Sequence, residues 1–316
     1  MDLTKHHEWT ISSGINLRLK GLKMVGPLTK VKIFPTGMRL NEYVAYEEKF
    51  WVEEGLDVEI LWGVLRGQMV RWGDSYKERP QDKPFVDGEQ TIGSACAWGS
   101  ISNAGAGMGK FVPDVHGVSP WGIFVREDSQ IRRPEDLANV PIAVGLRAGS
   151  HFNVPSHLEK YLPLEEIKPV NVGGFGARLK TLVDGEFEAA SLLPPQLDMA
   201  EQLGFRQVIG GEFKTLWWVD ERYPPEVLRA YFKGLERAEE AIQRDTDGYL
   251  DLWHYSNPPE FEMQEWDYAR FSRGERFVNE PIEREEFDRL IGEVVRWGLD
   301  GDLKERDFDQ IAYQVA

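Results

Sequence analysis

Apolar residues alternate with other residues in a short run near the middle of the chain, at Val140, Ile142 and Val144. This period of two predicts a part-buried strand. Similar runs predict further strands on both sides of it. They are residues 31–34, 56–62, 90–95, 112–118, 121–126, 168–172, 189–193 and 207–209.

Apolar residues at helical spacing predict helices between these strands and beyond the last one. The first one follows Thr36 as a possible cap and stops at Gly55. The others are residues 63–72, 97–106, about 151–162, 177–184 and 196–203. After Pro224 only helices are predicted, so the chain is interpreted as α/β with a helical C-terminal third. The opening strand–helix–strand order predicts a parallel pair with a right-handed crossover.

The loop after Val144 is a candidate site for an anionic group. Gly149 or Ser150 could cap a helix that begins near His151. The first backbone N–H groups of a helix have no partner within it, and the helix dipole favours negative charge there. Open α/β sheets bind ligands beyond the carboxyl ends of their strands. The sequence therefore predicts that this loop receives the anionic part of a small molecule.

Two polar stretches are predicted to lie outside the sheet. Residues 1–29 are interpreted as a poorly ordered lead-in with an edge strand near 17–22, and residues 74–84 as a surface insertion.

Composition limits the class of partner. The chain has 316 residues, 41% of them hydrophobic, which suggests two domains or one large one and excludes a disordered chain. The formal net charge of −16 argues against nucleic acid or an anionic membrane surface as the main partner. An anionic small molecule is not excluded, because it responds to local donors rather than to total charge.

The single cysteine, Cys96, excludes an intrachain disulfide framework and a thiolate-rich metal site. No zinc constellation or phosphate-binding glycine loop is found, so no metal and no cofactor are predicted. Residues 1–30 hold no apolar segment of signal-peptide length, and no window of the chain reaches the length of a membrane span. We expect a cytoplasmic protein if Met1 is the native start, and a periplasmic or extracellular one if a leader has been removed.

Five phrases in order along the chain carry a resemblance to a known family. They are YEEKFWVEEGLDVEILWG (46–63), WGIFVREDSQIRRPEDLANVPIAVG (121–145), GSHF (149–152), VNVGGFGARLKTLVDGEFEAA (171–191) and VVRWGLDGDLKERDF (294–308). Together they resemble the type II periplasmic-binding-protein fold in the family of nitrate, sulfonate and taurine binding proteins, which also holds thiamine-precursor binding proteins. The likeness covers most of the chain from Val31 onward.

This resemblance implies two α/β lobes, with mixed or parallel central sheets flanked by helices, that hold a ligand in the cleft between them. The first lobe would comprise residues 1–120 plus 216–316, and the second residues 121–215. A binding protein of this kind would deliver its ligand to an ABC permease if it is exported. The wider group also includes cytoplasmic enzymes, among them desulfinases, decarboxylases and a pyrimidine-forming thiamine enzyme whose multi-cysteine motif is absent here.

Candidate ligand-binding residues are those that follow the carboxyl ends of predicted strands. They are Thr36, Arg39, Trp62, Trp98, Ser100, Arg147, Gly149, Ser150, His151, Gly174, Phe175 and Gln196. Each also has a plainer interpretation. Arg39 could clamp a carboxylate or sulfonate or lie on a solvated helix face, and Trp62 could line the cleft or pack in the core. The pair 217–218 could cover the cleft or pack the hinge.

Cys96 and His151 are candidate catalytic residues only if the protein is an enzyme. A thiol at a helix N-terminus can have a lowered pKa and act as a nucleophile, whereas a buried lone cysteine is inert. His151 could act as an acid or base near neutral pH, or could simply cap or pack.

Three function classes remain open from the sequence. The first is the binding of a small organic anion or heteroaromatic molecule without chemistry. The second is a cytoplasmic lyase or hydrolase, desulfinase- or decarboxylase-like, in which Arg39 or Arg147 orients an acid group. The third is a ligand-responsive regulatory protein.

Overall fold

The structure, a computed structural model, describes residues 27–72 and 79–315. Strands and helices alternate along the first two thirds of this part. The strands are β1 (Thr29–Ile33), β2 (Leu56–Ile60), β3 (Thr91–Cys96), β4 (Lys110–Phe111), β5 (His116–Arg126), β6 (Pro141–Val144), β7 (Lys168–Asn171), β8 (Ala189–Leu192), β9 (Phe205–Val219) and β10 (Arg276–Val278).

Helices cover the sheet and make up most of the C-terminal third. The α-helices are α1 (Leu40–Glu47), α2 (Phe50–Glu53), α3 (Trp62–Met69), α4 (Lys83–Val86), α5 (Ala97–Gly105), α6 (Gly149–Leu158), α7 (Phe175–Val183), α8 (Gln196–Gln202), α9 (Pro225–Arg244), α10 (Arg284–Arg296) and α11 (Phe308–Ile311). Short 3₁₀ helices occur at Pro134–Leu137, Leu164–Glu166, Asp247–Ser256, Pro259–Phe261 and Tyr268–Arg270. Within the described ranges, every helix is too short or too polar to span a bilayer.

The strands form one continuous sheet in the order β2-β1-β3-β9-β5-β8-β6-β7, with β10 added to β5 and β4 to β9. The pairs β1–β2 and β1–β3 are parallel, as the strand–helix–strand pattern predicts. The pairs β6–β7 and β6–β8 are parallel as well. We call β1, β2 and β3 the first strand group and β6, β7 and β8 the second. The long antiparallel strands β5 and β9 join the two groups.

Buried strands position the helix starts that matter for the site. All four residues of β8 are buried, and so are five of the six residues of β3. Short runs of small and apolar residues are typical of strands that helices cover on both faces. β3 leads directly into α5, and β6 and β7 lead through short loops into α6 and α7. The packing of the sheet therefore fixes where these three helices begin.

Two strand predictions were wrong in extent. The runs 112–118 and 121–126 are largely one strand, β5, and the run 207–209 lies near the beginning of the 15-residue strand β9. Pro120 and the glycine pair 210–211 look like strand ends in the sequence. They lie instead within the ladder between β5 and β9, in which Pro120 is opposite Glu212.

Two predicted helix caps also need correction. Neither Gly149 nor Ser150 caps α6, because the helix begins at Gly149 itself with Ala148 as the N-cap residue. Thr36 does not cap α1, whose N-cap position is Arg39.

The predicted surface insertion at 74–84 lies partly outside the described residues. Its described part is not a surface loop, because Arg79 is 3% exposed and Asp82 6% exposed, and the two form an ion pair 2.7 Å long. The predicted edge strand near 17–22 lies outside the described residues. The division of the chain into two lobes stays a prediction.

Candidate functional site

A small cavity of about 30 Å³, partly open to solvent, lies where three helices begin. Cys96 at the start of α5, Gly149 at the start of α6 and Gly174 just before α7 all line it. Each helix has at least nine residues, and its first backbone N–H groups have no partner within the helix. The positive ends of three helix dipoles therefore meet at one cavity, which favours negative charge there.

The other lining residues give the cavity a mixed apolar and uncharged polar wall. The apolar side chains are Met38, Trp72, Phe175 and Leu193, and the uncharged polar ones include Thr36, Gln68, Gln81 and Ser94. Among the described residues that line the cavity, Arg178 is the one charged side chain, and none is Asp or Glu.

Arg178 is a buried cation without a carboxylate partner among the described residues. Its side chain is 1% exposed, and Nε and Nη1 donate hydrogen bonds to the carbonyl oxygens of Gly174 at 3.2 Å and Ser191 at 2.8 Å. The guanidinium carbon lies 4.7 Å from the centre of the Phe175 ring. Burial alone lowers the pKa of Arg178 to about 9, so the group stays protonated at neutral pH. A buried charge of this kind is costly unless an anion accompanies it.

Two polar atoms on the wall also have no hydrogen-bond partner in the described part of the chain. They are Oε1 of Gln81 and Oγ of Ser94, on side chains that are 5% and 2% exposed. A buried polar group without a partner costs free energy, and native proteins keep few of them. Both atoms are therefore candidate ligand contacts.

Five of the residues singled out in the sequence line this cavity, namely Thr36, Cys96, Gly149, Gly174 and Phe175. The Thr36 hydroxyl accepts a hydrogen bond from the Met38 N–H at 3.3 Å. Gly149 and Gly174 contribute helix starts, and Phe175 contributes a ring beside Arg178.

Cys96 lies on the wall in a form that disfavours nucleophilic chemistry. Its Sγ accepts a hydrogen bond from the Gly99 N–H at 3.3 Å. Burial raises the pKa of the Cys96 thiol to about 12, outweighing this hydrogen bond and the charge of Arg79, both of which act to lower it. The thiolate, which is the nucleophilic form, is therefore scarce at neutral pH.

Arg39 does not line the cavity and instead forms a buried ion pair. It is fully buried, with Nη2 2.5 Å from Oε1 of Glu275 and Nη1 3.6 Å from Oε1 of Glu42. Nη2 also donates to the Thr215 hydroxyl at 3.2 Å, and the guanidinium lies over Trp217. The interpretation of Arg39 as a solvated helix residue was wrong, because α1 packs this position against the sheet. The pair 217–218 is buried within β9 and does not line the cavity.

Trp62, Trp98 and Ser100 also lie outside the cavity wall. Trp62 begins α3 and stacks on Tyr255, with ring centres 5.0 Å apart. The Trp98 indole N–H donates to Glu293 at 2.7 Å, and the Ser100 hydroxyl donates to a backbone carbonyl of β9 at 2.8 Å. All three contact protein groups instead.

The remaining candidates do not line the cavity either. Arg147 forms an ion pair with Asp302, and the Ser150 hydroxyl accepts a hydrogen bond from a backbone N–H of the preceding loop at 2.9 Å. Nδ1 of His151 accepts a hydrogen bond from the Arg147 N–H at 3.0 Å. Burial and the charge of Arg147 lower the pKa of His151 to about 4, so the ring is neutral at neutral pH. Gln196 is fully buried, and both its amide atoms lack a partner among the described residues.

The sequence analysis missed the residue with the strongest electrostatic signal, Arg178. It lies in the first turn of α7, four residues after Gly174. The available signal was the glycine-rich turn followed by a basic residue within GGFGARLK, because an arginine there sits near a helix start at a strand end. Gln81 and Ser94 carried no comparable signal in the sequence.

No protein-family model matches the sequence, and no curated protein matches it. Many solved structures nevertheless share the fold. The alkanesulfonate-binding protein SsuA from Xanthomonas axonopodis pv. citri, bound to MOPS, aligns with a TM-score of 0.66 at 14% identity, over 92% of this chain and 100% of that one. The periplasmic aliphatic sulphonate binding protein SsuA from Escherichia coli aligns with a TM-score of 0.62 at 14% identity, over 91% and 97%. The desulfurization enzyme DSZB aligns with a TM-score of 0.55 at 15% identity, over 90% and 96%.

These similarities confirm the fold class inferred from the five phrases. The chain has the α/β fold of the periplasmic binding proteins. Because both binding proteins and an enzyme share that fold, the function has to be argued from the site.

Proposed function

We propose that this protein binds a small organic anion, such as a sulfonate or a carboxylate, in the cavity where α5, α6 and α7 begin. The observation that carries the proposal is Arg178, a fully buried cation on the cavity wall without a carboxylate beside it in the described part of the chain. An anionic group on the ligand would supply the missing counter-charge and the acceptors for the remaining guanidinium donors.

The two-lobe division predicted from the sequence fits this proposal. Thr36 and Cys96 would come from the lobe 1–120 plus 216–316, and Gly149, Gly174 and Arg178 from the lobe 121–215. Contacts from both lobes to one ligand would stabilise the closed arrangement. The proteins of similar structure that bind sulfonates support a role as the ligand-binding component of an import system, with an ABC permease as partner if the chain is exported.

Calorimetric titration of the purified chain with a panel of alkyl and aryl sulfonates and carboxylates tests the proposal. We expect at least one of them to bind, and Arg178→Met to weaken its affinity by about ten-fold or more, because a buried charge-assisted contact is lost. The matched control is Arg270→Met, which removes an exposed arginine that does not line the cavity and should leave the affinity unchanged.

Two results would contradict the proposal. One is the absence of binding across the whole panel, and the other is equal affinity in the wild type and Arg178→Met. Turnover of a bound anion that Cys96→Ser abolishes would favour the enzyme interpretation instead. The protonated Cys96 and the neutral, displaced His151 do not favour that interpretation.

A further inference from the structure

We infer that the cavity selects an anion whose remainder is uncharged, and that it rejects molecules carrying an ammonium group beside their acid group. This inference rests on the proposed function and narrows the ligand to one chemical class. It separates simple sulfonates and carboxylates from amino acids and amino sulfonates.

The charges around the cavity carry the inference. The chain has 53 Asp and Glu residues, yet none of the described residues that line the cavity is one of them. A buried ammonium group needs an ion-pair partner, and the described wall offers none. Arg178 and the starts of α5, α6 and α7 all make the potential positive, so an ammonium group would be repelled.

The aromatic side chains do not replace the missing carboxylate. A ring face can attract a cation, but the ring of Phe175 already faces the Arg178 guanidinium 4.7 Å away. Trp72 is 7% exposed, and its indole N–H is directed to the carbonyl oxygen of Gly67 at 3.1 Å. With Met38 and Leu193, Trp72 supplies apolar surface that suits an uncharged carbon body.

The two wall atoms without a hydrogen-bond partner among the described residues indicate which polar groups the uncharged part of the ligand can carry. Oε1 of Gln81 can only accept a hydrogen bond, and Oγ of Ser94 can donate or accept one. A neutral hydroxyl or amide on the ligand would satisfy Gln81 without bringing a second charge into the cavity. The ligand class is therefore a monoanion with an apolar body that tolerates a neutral hydrogen-bond donor.

Matched pairs of commercial anions test the inference on the wild-type chain. Ethanesulfonate is compared with taurine, and benzenesulfonate with 4-(aminomethyl)benzenesulfonate, by calorimetry in Tris buffer near neutral pH. Within each pair the molecules differ only by the ammonium-bearing substituent. We expect the member without the ammonium group to bind with an affinity at least about ten-fold higher.

A variant that adds a carboxylate to the wall tests whether its absence causes the preference for anions without an ammonium group. Gln81→Glu should narrow or invert the preference in both pairs, because the new carboxylate can pair with the ammonium group. Ser94→Asp provides the same test from another part of the wall. Gln130→Glu, an exposed position that does not line the cavity, adds the same charge elsewhere and should leave the preference unchanged.

The outcomes separate this inference from the function on which it rests. If the ammonium-bearing members bind as tightly as their partners, the inference is wrong and anion binding stands. The inference is also wrong if Gln130→Glu shifts the preference as much as Gln81→Glu. If no anion in either pair or in the wider panel binds, the proposed function itself fails.

Discussion

Two arginines with equal burial play different roles in this protein. Arg39 is fully buried beside Glu42 and Glu275, whereas Arg178 is fully buried beside backbone carbonyls and the cavity. The sequence analysis selected Arg39 because it follows the first strand, and it overlooked Arg178 within a helix. Residue type and spacing cannot distinguish the two, because the closest partners of Arg39, Thr215 and Glu275, come from far along the chain. Only the folded chain shows which positive charge is already neutralised.

The carboxyl group of Glu42 should make stability depend on pH. Burial raises its pKa from 4.5 to about 7, although Arg39 opposes the shift. The folded state therefore binds more protons than the unfolded state between these two values. The contribution to stability is complete below about pH 4.5 and is lost as the pH rises through about 7.

Glu42→Gln should remove this contribution to the pH dependence. The free energy of unfolding of the variant minus that of the wild type should increase by up to about 3 kcal/mol as the pH rises from roughly 5 to 8. Urea unfolding of both proteins at several pH values measures the difference, which also cancels the effects of other titrating groups. A difference that stays constant with pH would show that Glu42 does not titrate in this range.

Cys96 should be an unreactive thiol in the native protein. It is 2% exposed, and burial raises its pKa to about 12. We expect alkylation by iodoacetamide in mild alkali to be slower than in the urea-unfolded chain by about a hundred-fold or more, because both access and the thiolate fraction are reduced. As Cys96 is the only cysteine, mass spectrometry of the modified chain gives the rate directly. Rapid alkylation of the folded protein would contradict this prediction and make Cys96 a candidate nucleophile again.

At the level of secondary structure, the sequence predicted the strand ends and helix starts at the cavity better than the long strands that join the two strand groups. The strand ending at Val144 and the glycine turn at 173–174 both lead into helices, as their patterns indicate. The long strands β5 and β9 were predicted only in fragments, because Pro120 and the glycine pair 210–211 interrupt the apolar pattern. Their continuity comes from pairing with each other, which is a long-range contact that no local pattern records.

Two glycines at helix starts on the cavity should respond differently to substitution by alanine. A Cβ on Gly149 would lie 3.4 Å from the ring of Phe213, which is an ordinary contact. A Cβ on Gly174 would lie 2.2 Å from the backbone oxygen of Gln68, which cannot move without displacing α3. Gly174 therefore holds α3 and α7 at a spacing that only glycine permits.

Gly174→Ala should lower the free energy of unfolding by more than about 2 kcal/mol, whereas Gly149→Ala should change it by less than about 1 kcal/mol. Thermal and urea unfolding measure both variants, and Gly149→Ala serves as the matched control. Since α3 and α7 both border the cavity, anion affinity should fall in Gly174→Ala as well. Equal stability of the two variants would show that the contact between α3 and α7 is looser than described.

For the whole molecule, the order of the five phrases was enough to predict the fold but not the site. The phrases follow the chain, and the structural similarities over at least nine tenths of it bear out the fold class. The cavity instead combines Thr36, Ser94, Gly149 and Arg178, which are far apart in sequence. Their convergence depends on how β5 and β9 hold the two strand groups together, and sequence reasoning could not supply that geometry.

The far end of α6 contacts the C-terminal end of α10. Helix α6 begins at the cavity with Gly149, and its C-cap residue Glu159 accepts hydrogen bonds from Arg296 at 2.7 Å and from the indole N–H of Trp297 at 3.2 Å. We call Glu159, Arg296 and Trp297 the α6 clasp. Because α6 forms part of the cavity wall, separation of α6 from its neighbours would widen the cavity for an entering ligand. The clasp opposes that separation.

Glu159→Gln should therefore speed both entry and release of a bound anion. Arg296 is half exposed, so the charge contributes about 0.5–1 kcal/mol, equivalent to about a two- to five-fold rise in the dissociation rate. Stopped-flow tryptophan fluorescence measures this rate with the tightest-binding anion from the panel. Glu212→Gln is the control, because it removes a comparable exposed ion pair, with Arg276, that does not involve α6. If both variants release the anion at the wild-type rate, α6 moves independently of its clasp and access to the cavity is governed by other elements.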